Sequence, residues 1–178
     1  METAFSRNYN NKCKWFQLDF PNVLSLRETY IPKQEGEYYL PYSMFDYKWI
    51  DEVKKESKEP VLFIGSGILY YYSEKQVVEL IQNLKRFDDA QLVFDVVSST
   101  GLKIAKKYMR QFGKKEAELE FFVNNSKDFV KKISPETKLI EELCYYRDIK
   151  KQNFQLSTKV QMCCSDKFGF VKMAHLKL

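Results

Sequence analysis

Apolar residues come in short blocks separated by polar turns, and the spacing inside each block predicts its structure. Lys14–Leu18 (KWFQL) reads as a short aromatic strand, stopped by Asp19-Phe20-Pro21, which also opens a helix. From Asn22 to Tyr30, Val23, Leu26 and Tyr30 recur at spacings of three and four, one face of a short helix. A turn through Pro32 and Gly36 leads to Glu37–Pro41, a strand with Tyr38 and Leu40 on one face. Trp49–Glu56 is a charged amphipathic helix that ends before Pro60.

Val61–Ile64 is a continuous apolar run between Pro60 and Gly65, which predicts a strand buried on both faces, as in a parallel sheet. Ser73-Glu74-Lys75-Gln76 has the spacing of a capping box, and Val77, Leu80, Ile81 and Leu84 follow at helical intervals. Gln91–Val97 (QLVFDVV) predicts a second buried strand, and Leu102–Arg110 a basic helix. Ser126 reads as the cap of a short helix, Lys127–Lys132, and Lys138–Tyr146 as a strand. Residues 148–166 are too polar to assign, and Phe168–Leu176 makes a final strand. Strand and helix alternate, then give way to an antiparallel-looking hairpin. That order predicts an open α/β sheet with helices on both faces, in a single domain over residues 1–178.

Composition narrows the picture. At 178 residues, 44% hydrophobic and 30% charged, the chain is a folding domain rather than a disordered tail. The 29 Lys+Arg and 24 Asp+Glu leave a net charge of +5, too little to imply nucleic acid unless clustered. Cys13, Cys144, Cys163 and Cys164 form no CxxC pair and His175 is the only histidine, which argues against zinc. The thiols read as buried or idle in a reducing compartment. No run of 18 apolar residues and no signal-peptide core occur, so a cytoplasmic protein without membrane spans is expected.

In open α/β sheets, ligands bind outside the carboxyl ends of the strands. That rule singles out Asp19, Ser43–Tyr47, Gly65-Ser66-Gly67 and Ser98–Thr100. A strand-end aspartate such as Asp19 is able to accept both hydroxyls of a ribose, or to cap the helix that follows. Asp46 is open to the same two uses, with an adenine amino group as its ligand. Gly65 and Gly67 let backbone approach a ligand closely, but no phosphate-loop lysine follows and the spacing is not that of a hydrolase elbow. Tyr70-Tyr71-Tyr72 either lines a substrate pocket or packs.

The segments KWFQLDFPNVLSLR, SMFDYKWID, VLFIGSGILYYYSEKQVVELI and AQLVFDVVS, in that order and spacing, resemble the leucine carboxyl methyltransferase family. That family includes polyketide-synthesis O-methyltransferases. The resemblance covers most of the chain and weakens after about Asp148. It implies a class I methyltransferase, Rossmann-like sheet and S-adenosylmethionine as cofactor. It also implies that Asp19, with Phe20, holds the cofactor ribose. Asp46, with Met44, Phe45 and Tyr47, is placed by the adenine, and Gly65-Ser66-Gly67 beside the methionine end. Tyr71 keeps the family's strand-end tyrosine, on the acceptor side.

Two positions depart from the family pattern. Ser66 stands where members usually carry glutamate. METAFSR matches the stretch that follows the family's glycine motif, so the first strand and the upstream helical cap are expected to be absent. Loss of a central strand leaves edges whose unpaired groups cost about 1–3 kcal/mol each. The expected repair is closure of the flanking strands, another segment in the slot, or a homodimer covering it. The implied activity is methyl transfer to a carboxylate or hydroxyl of a small-molecule or protein acceptor. The alternative is an inactive remnant of the fold acting as an interaction module. Nucleic-acid binding through Lys103–Arg110 and Lys114-Lys115 is the weaker third reading, against a solvated helix face.

Overall fold

A computed structural model describes residues 4–10, 12–58, 60–111, 118–150 and 152–178. Met1, Glu2 and Thr3, which begin the METAFSR match, and the basic pair Lys114-Lys115 lie outside the described residues. The chain divides into two compact units, residues 1–59 and 60–178.

The first unit has the order α1 (Ala4–Asn8), β1 (Trp15–Leu18), α2 (Pro21–Tyr30), β2 (Glu37–Leu40), α3 (Lys48–Glu56). Strands β1 and β2 pair in parallel, Trp15 opposite Glu37 and Leu18 opposite Leu40, with α2 as the crossover. Pro21 starts α2 at a position where its missing amide proton costs nothing. Leu24, Leu40, Trp49, Ile50 and Val53 are buried. So are Arg27 and Glu37, and such charges must be paired: Arg27 Nη2 lies 2.9 Å from Glu37 Oε1, and Arg27 Nη1 donates to the Tyr39 hydroxyl at 2.6 Å.

The second unit runs β3 (Leu62–Gly65), a 3-10 turn at Leu69–Tyr71, α4 (Glu74–Leu84), β4 (Gln91–Val97), α5 (Ser99–Gln111), α6 (Ser126–Ile133), β5 (Lys138–Cys144), α7 (Leu156–Phe168) and β6 (Val171–Lys177). Its sheet has the order β3-β4-β6-β5, with β3 parallel to β4 and β6 antiparallel to both of its neighbours. The ends of β3, β4 and β5 therefore leave at one edge. Phe94, Ile81, Val77 and Leu176 are among the most deeply buried residues. The Ser73–Gln76 capping box forms as predicted and starts α4. Gly101 in α5 has no room for a side chain, because an added Cβ would lie 2.3 Å from the Phe170 carbonyl oxygen.

Several expectations need correction. The strand at Val61–Ile64 is not buried on both faces: Leu62 is 54% and Ile64 42% exposed. As the edge strand of its sheet it alternates, Phe63 packing on Phe87 at 5.4 Å while Leu62 and Ile64 stay uncovered. The cap of α6 is Asn125, whose side chain accepts from the Lys127 and Asp128 amides. Ser126 bonds Glu142 instead.

Residues 148–166, left unassigned above, contain most of α7. Phe168 ends that helix rather than beginning a strand. Gly169 turns the chain with φ 62°, and β6 starts at Val171. Strands β5 and β6 are antiparallel but joined through α7, not by a hairpin turn. Cys13, Cys144 and Cys163 are exposed, not buried.

Candidate functional site

In the first unit, parallel pairing sends the chain out of β1 and β2 at the same end. Asp19 is the first residue past β1, exposed, with its own amide donating to the Leu40 carbonyl at 3.3 Å. Its Oδ1 accepts from the Phe20 amide at 2.8 Å, and Phe20 is the N-cap of α2 with no side-chain capping bond. Asp19 thus does not cap the helix, and among the described residues its second oxygen has no partner. Phe20 is 53% exposed beside it.

The loop after β2 is set by Ser43. Its carbonyl accepts from the Asp46 amide at 2.9 Å and its hydroxyl from the Phe45 amide at 3.3 Å. The Met44 carbonyl accepts from the indole of buried Trp49 at 3.1 Å, which ties the loop to α3. Tyr47 is the N-cap of α3, again with no side-chain capping bond. Among the described residues, the Asp46 carboxylate meets the Lys48 amide, at 3.5 Å, and the exposed Lys48 ammonium, at 3.7 Å. Both contacts are weak at such separations. The unit therefore brings Asp19, Phe20, Met44, Phe45, Asp46 and Tyr47 to one end of its sheet, with both carboxylates largely uncommitted.

The second unit gathers Gly65, Ser66, Gly67 and Tyr71 at the end of β3. Ser66 is exposed, Gly67 takes φ 69°, and Tyr71 is 42% exposed with its ring 4.8 Å from Tyr70. Ser98 is used by the fold: its hydroxyl accepts from the Gly101 amide at 3.2 Å, at the start of α5.

Asp95, Tyr145 and Tyr146 escape the sequence reading as site residues. Asp95 on β4 is buried and accepts from the Gly67 amide at 2.6 Å. Burial raises its carboxyl above the ordinary value, against the hydrogen bonds from Gly67 and its own amide. Burial also pushes the Tyr70 phenol up to about 12, helped by Tyr71 and by the charge of Asp95. Tyr145 follows β5, and its phenol is raised by burial, then by Asp95 and Tyr146. Its ring stands edge-on to Tyr146 at 5.1 Å. A lone aspartate inside QLVFDVV was the available signal for Asp95; nothing local marks Tyr145 or Tyr146.

Two grooves lie away from these positions. One of about 480 Å³ runs along Lys103, Lys106, Lys107, Arg110 and Gln111 of α5, and one of about 250 Å³ lies among Phe16, Lys33, Tyr38, Tyr39, Leu40, Glu52, Lys55 and Glu56. No group of three or more metal-ligating side chains occurs among the described residues. His175 instead meets Gln91 Oε1 at 2.7 Å.

No protein-family model matches the chain. The tetracenomycin polyketide synthesis O-methyltransferase TcmP of Streptomyces glaucescens is 25% identical over 104 residues, 58% of this chain. The chain spans only 38% of that enzyme's length. Among solved structures, a DUF574 family protein from Streptomyces avermitilis superposes with a TM-score of 0.62 at 12% identity, over 91% of this chain and 64% of that one. LepI in complex with S-adenosylmethionine gives 0.58 at 15%, over 98% of this chain and 38% of that one. The O-methyltransferase NcsB1, solved with S-adenosylmethionine and a naphthoic acid, gives 0.51 at 6%, over 91% of this chain and 40% of that one.

The fold is that of the S-adenosylmethionine-dependent methyltransferases. In a methyltransferase fold, the ends of parallel strands are where both units carry their candidate residues.

Proposed function

We propose that the chain serves S-adenosylmethionine-dependent O-methyl transfer, and that Asp19 is the principal cofactor anchor. One observation carries this reading: Asp19 stands at the end of a parallel strand, exposed and not used as a helix cap. The residues fit the cofactor. A carboxylate with a free oxygen suits a ribose diol, and Asp46 suits an adenine amino group. Phe20, Met44, Phe45 and Tyr47 offer apolar surface and backbone polar groups for the base. In the second unit, Gly65, Ser66 and Gly67 are assigned to the methionine end and Tyr71 to the acceptor. When bound, the cofactor supplies an electrophilic methyl group on a sulfonium. The protein's part is to hold the acceptor oxygen in line with it, a proximity effect that needs no strong base.

The acceptor is a carboxylate or hydroxyl of a small molecule or protein. Nucleic acid is not part of the proposal, since Lys103 to Arg110 spans only about 10 Å of helix, too short to follow many phosphates. No described helix is long and apolar enough to cross a membrane, and the protein is assigned to the cytoplasm. The free edge of β3, with Leu62 and Ile64 uncovered and no charge or proline to block pairing, is assigned to a second copy of the chain. Light scattering should show a dimer that Ile64→Lys converts to monomer; a wild-type monomer at high concentration would refute the assignment.

The cofactor reading is tested by calorimetric titration with S-adenosylmethionine and S-adenosylhomocysteine, repeated on Asp19→Ala. Micromolar binding lost in the variant supports it. A folded wild-type chain that takes up neither compound supports the interaction-module alternative instead.

A further inference from the structure

Strand β4 is the most deeply covered in its sheet, and Asp95 is its only charged residue. A charge in such a place has to be held. Asp95 makes no ion pair among the described residues; its Oδ1 accepts from the Gly67 amide at 2.6 Å, a short hydrogen bond. Gly67 is in the left-handed region, with the Tyr70 hydroxyl 3.4 Å from where its Cβ would be. The Tyr70 carbonyl is itself tied down by the Glu120 amide at 2.8 Å. The turn is therefore held by the Asp95 carboxylate, with the Tyr70 phenol beside it and Ser66 exposed.

The titratable groups coupled to Asp95 are phenols: Tyr70 from the turn after β3 and Tyr145 from the end of β5, backed by Tyr71 and Tyr146. On β6, Met173 lies opposite Asp95. An asparagine at this position would satisfy the Gly67 amide just as well and escape the cost of burying a charge. The acid is the more expensive choice, and what it adds is negative charge among aromatic rings, a setting that favours a cation.

We propose that Asp95 is a positioning residue that fixes the Gly65–Gly67 turn and makes it prefer a cationic ligand centre over a neutral one. The proposal rests on the cofactor reading above, because S-adenosylmethionine carries a sulfonium and S-adenosylhomocysteine an uncharged sulfide. Asp95 touches neither; it acts through the Gly67 amide and through its field.

The test compares wild type with Asp95→Asn, which keeps an acceptor oxygen, and Asp95→Ala, which does not. Calorimetry should show the S-adenosylmethionine to S-adenosylhomocysteine affinity ratio falling roughly three- to tenfold in Asp95→Asn. Asp95→Ala should weaken both compounds by roughly a further tenfold as the turn loosens. A merely structural role would leave the ratio unchanged in Asp95→Asn, and that result overturns the proposal.

Two readouts need no cofactor. In NMR spectra, the Gly67 amide should keep its downfield shift and slow exchange in Asp95→Asn and lose both in Asp95→Ala. The Tyr70 and Tyr145 ring resonances should titrate at lower pH in Asp95→Asn. If wild type binds neither compound, the cofactor reading fails and the preference for a cation falls with it. The amide and phenol readouts then still decide the positioning role, and an unchanged Gly67 amide in Asp95→Ala refutes it.

Discussion

At the end of β1, Asp19 stands in water and accepts from one neighbouring amide; inside β4, Asp95 is buried and bonded to the turn after β3. Both are aspartates carried by parallel strands, one just past its strand's end and one inside its strand, yet they serve opposite needs. An exposed carboxylate costs the fold little and keeps its oxygens for a ligand. A buried one is fixed by its hydrogen bond and sets the shape of what lies above it. The contrast separates residues that supply affinity from residues that supply position. The first kind should be removable without harm to folding, and the second should not.

The largest expected effect falls on the second region. Gly101→Ala drives a methyl group against the Phe170 carbonyl and Val97, at the end of β4, and should cost about 3 kcal/mol in urea unfolding. A change within 0.5 kcal/mol would show that this edge yields far more easily than its packing implies. Next is Asp19→Ala. It should remove about 1.5–3 kcal/mol of cofactor binding and leave the unfolding midpoint where it was. A large drop in stability would place Asp19 with Asp95 and dissolve the contrast.

A smaller effect follows from Asn125→Ala, which strips the cap from α6 and should cost about 1 kcal/mol, with no change in ligand affinity. The smallest concerns Glu142. Burial raises its carboxyl, but hydrogen bonds from Lys172 and Ser126 outweigh that and hold it below the ordinary value. Its contribution is therefore present above the ordinary carboxylate value and lost as pH falls through the lower, folded one. Glu142→Gln should flatten that acid-side loss, by under about 1 kcal/mol because the pair is partly solvated. Asp95 has the opposite sign: its raised carboxyl makes stability fall as pH rises from the ordinary carboxylate value through the higher, folded one, so Asp95→Asn should remove that loss.

Elements marked by local chemistry were legible in the sequence. The capping box at Ser73–Gln76, Pro21 at the start of α2 and the apolar block of β4 all lie where their patterns put them. Helix α7 was not legible, because its apolar residues mark the wrong face: Leu156 and Val160 are 77% and 53% exposed, while Ser165 is buried. The burial of β3 was misread for a related reason. Four apolar residues in a row do not say whether one face of the strand will be covered or left open. Asp19 and Asp46 were legible as candidates, but only the structure shows that Asp19 does not cap α2 and that Asp46 reaches the first amide of α3 only at 3.5 Å. Asp95 was hidden because its partner is 28 residues away in sequence.

The strand order has a consequence in time as well as in space. Strand β6 lies between β4 and β5, yet it follows both in the chain and pairs residues as far apart as Gln91 and Lys177. A ribosome that has released residues only as far as Cys144 has made the two outer partners of a ladder whose middle rung does not yet exist. Strands β1 and β2 have no such wait, since the crossover between them is local. Until β6 emerges, β4 has one strand neighbour and an apolar flank open to other chains. Synthesis paused in that window should be when the nascent protein most needs a chaperone.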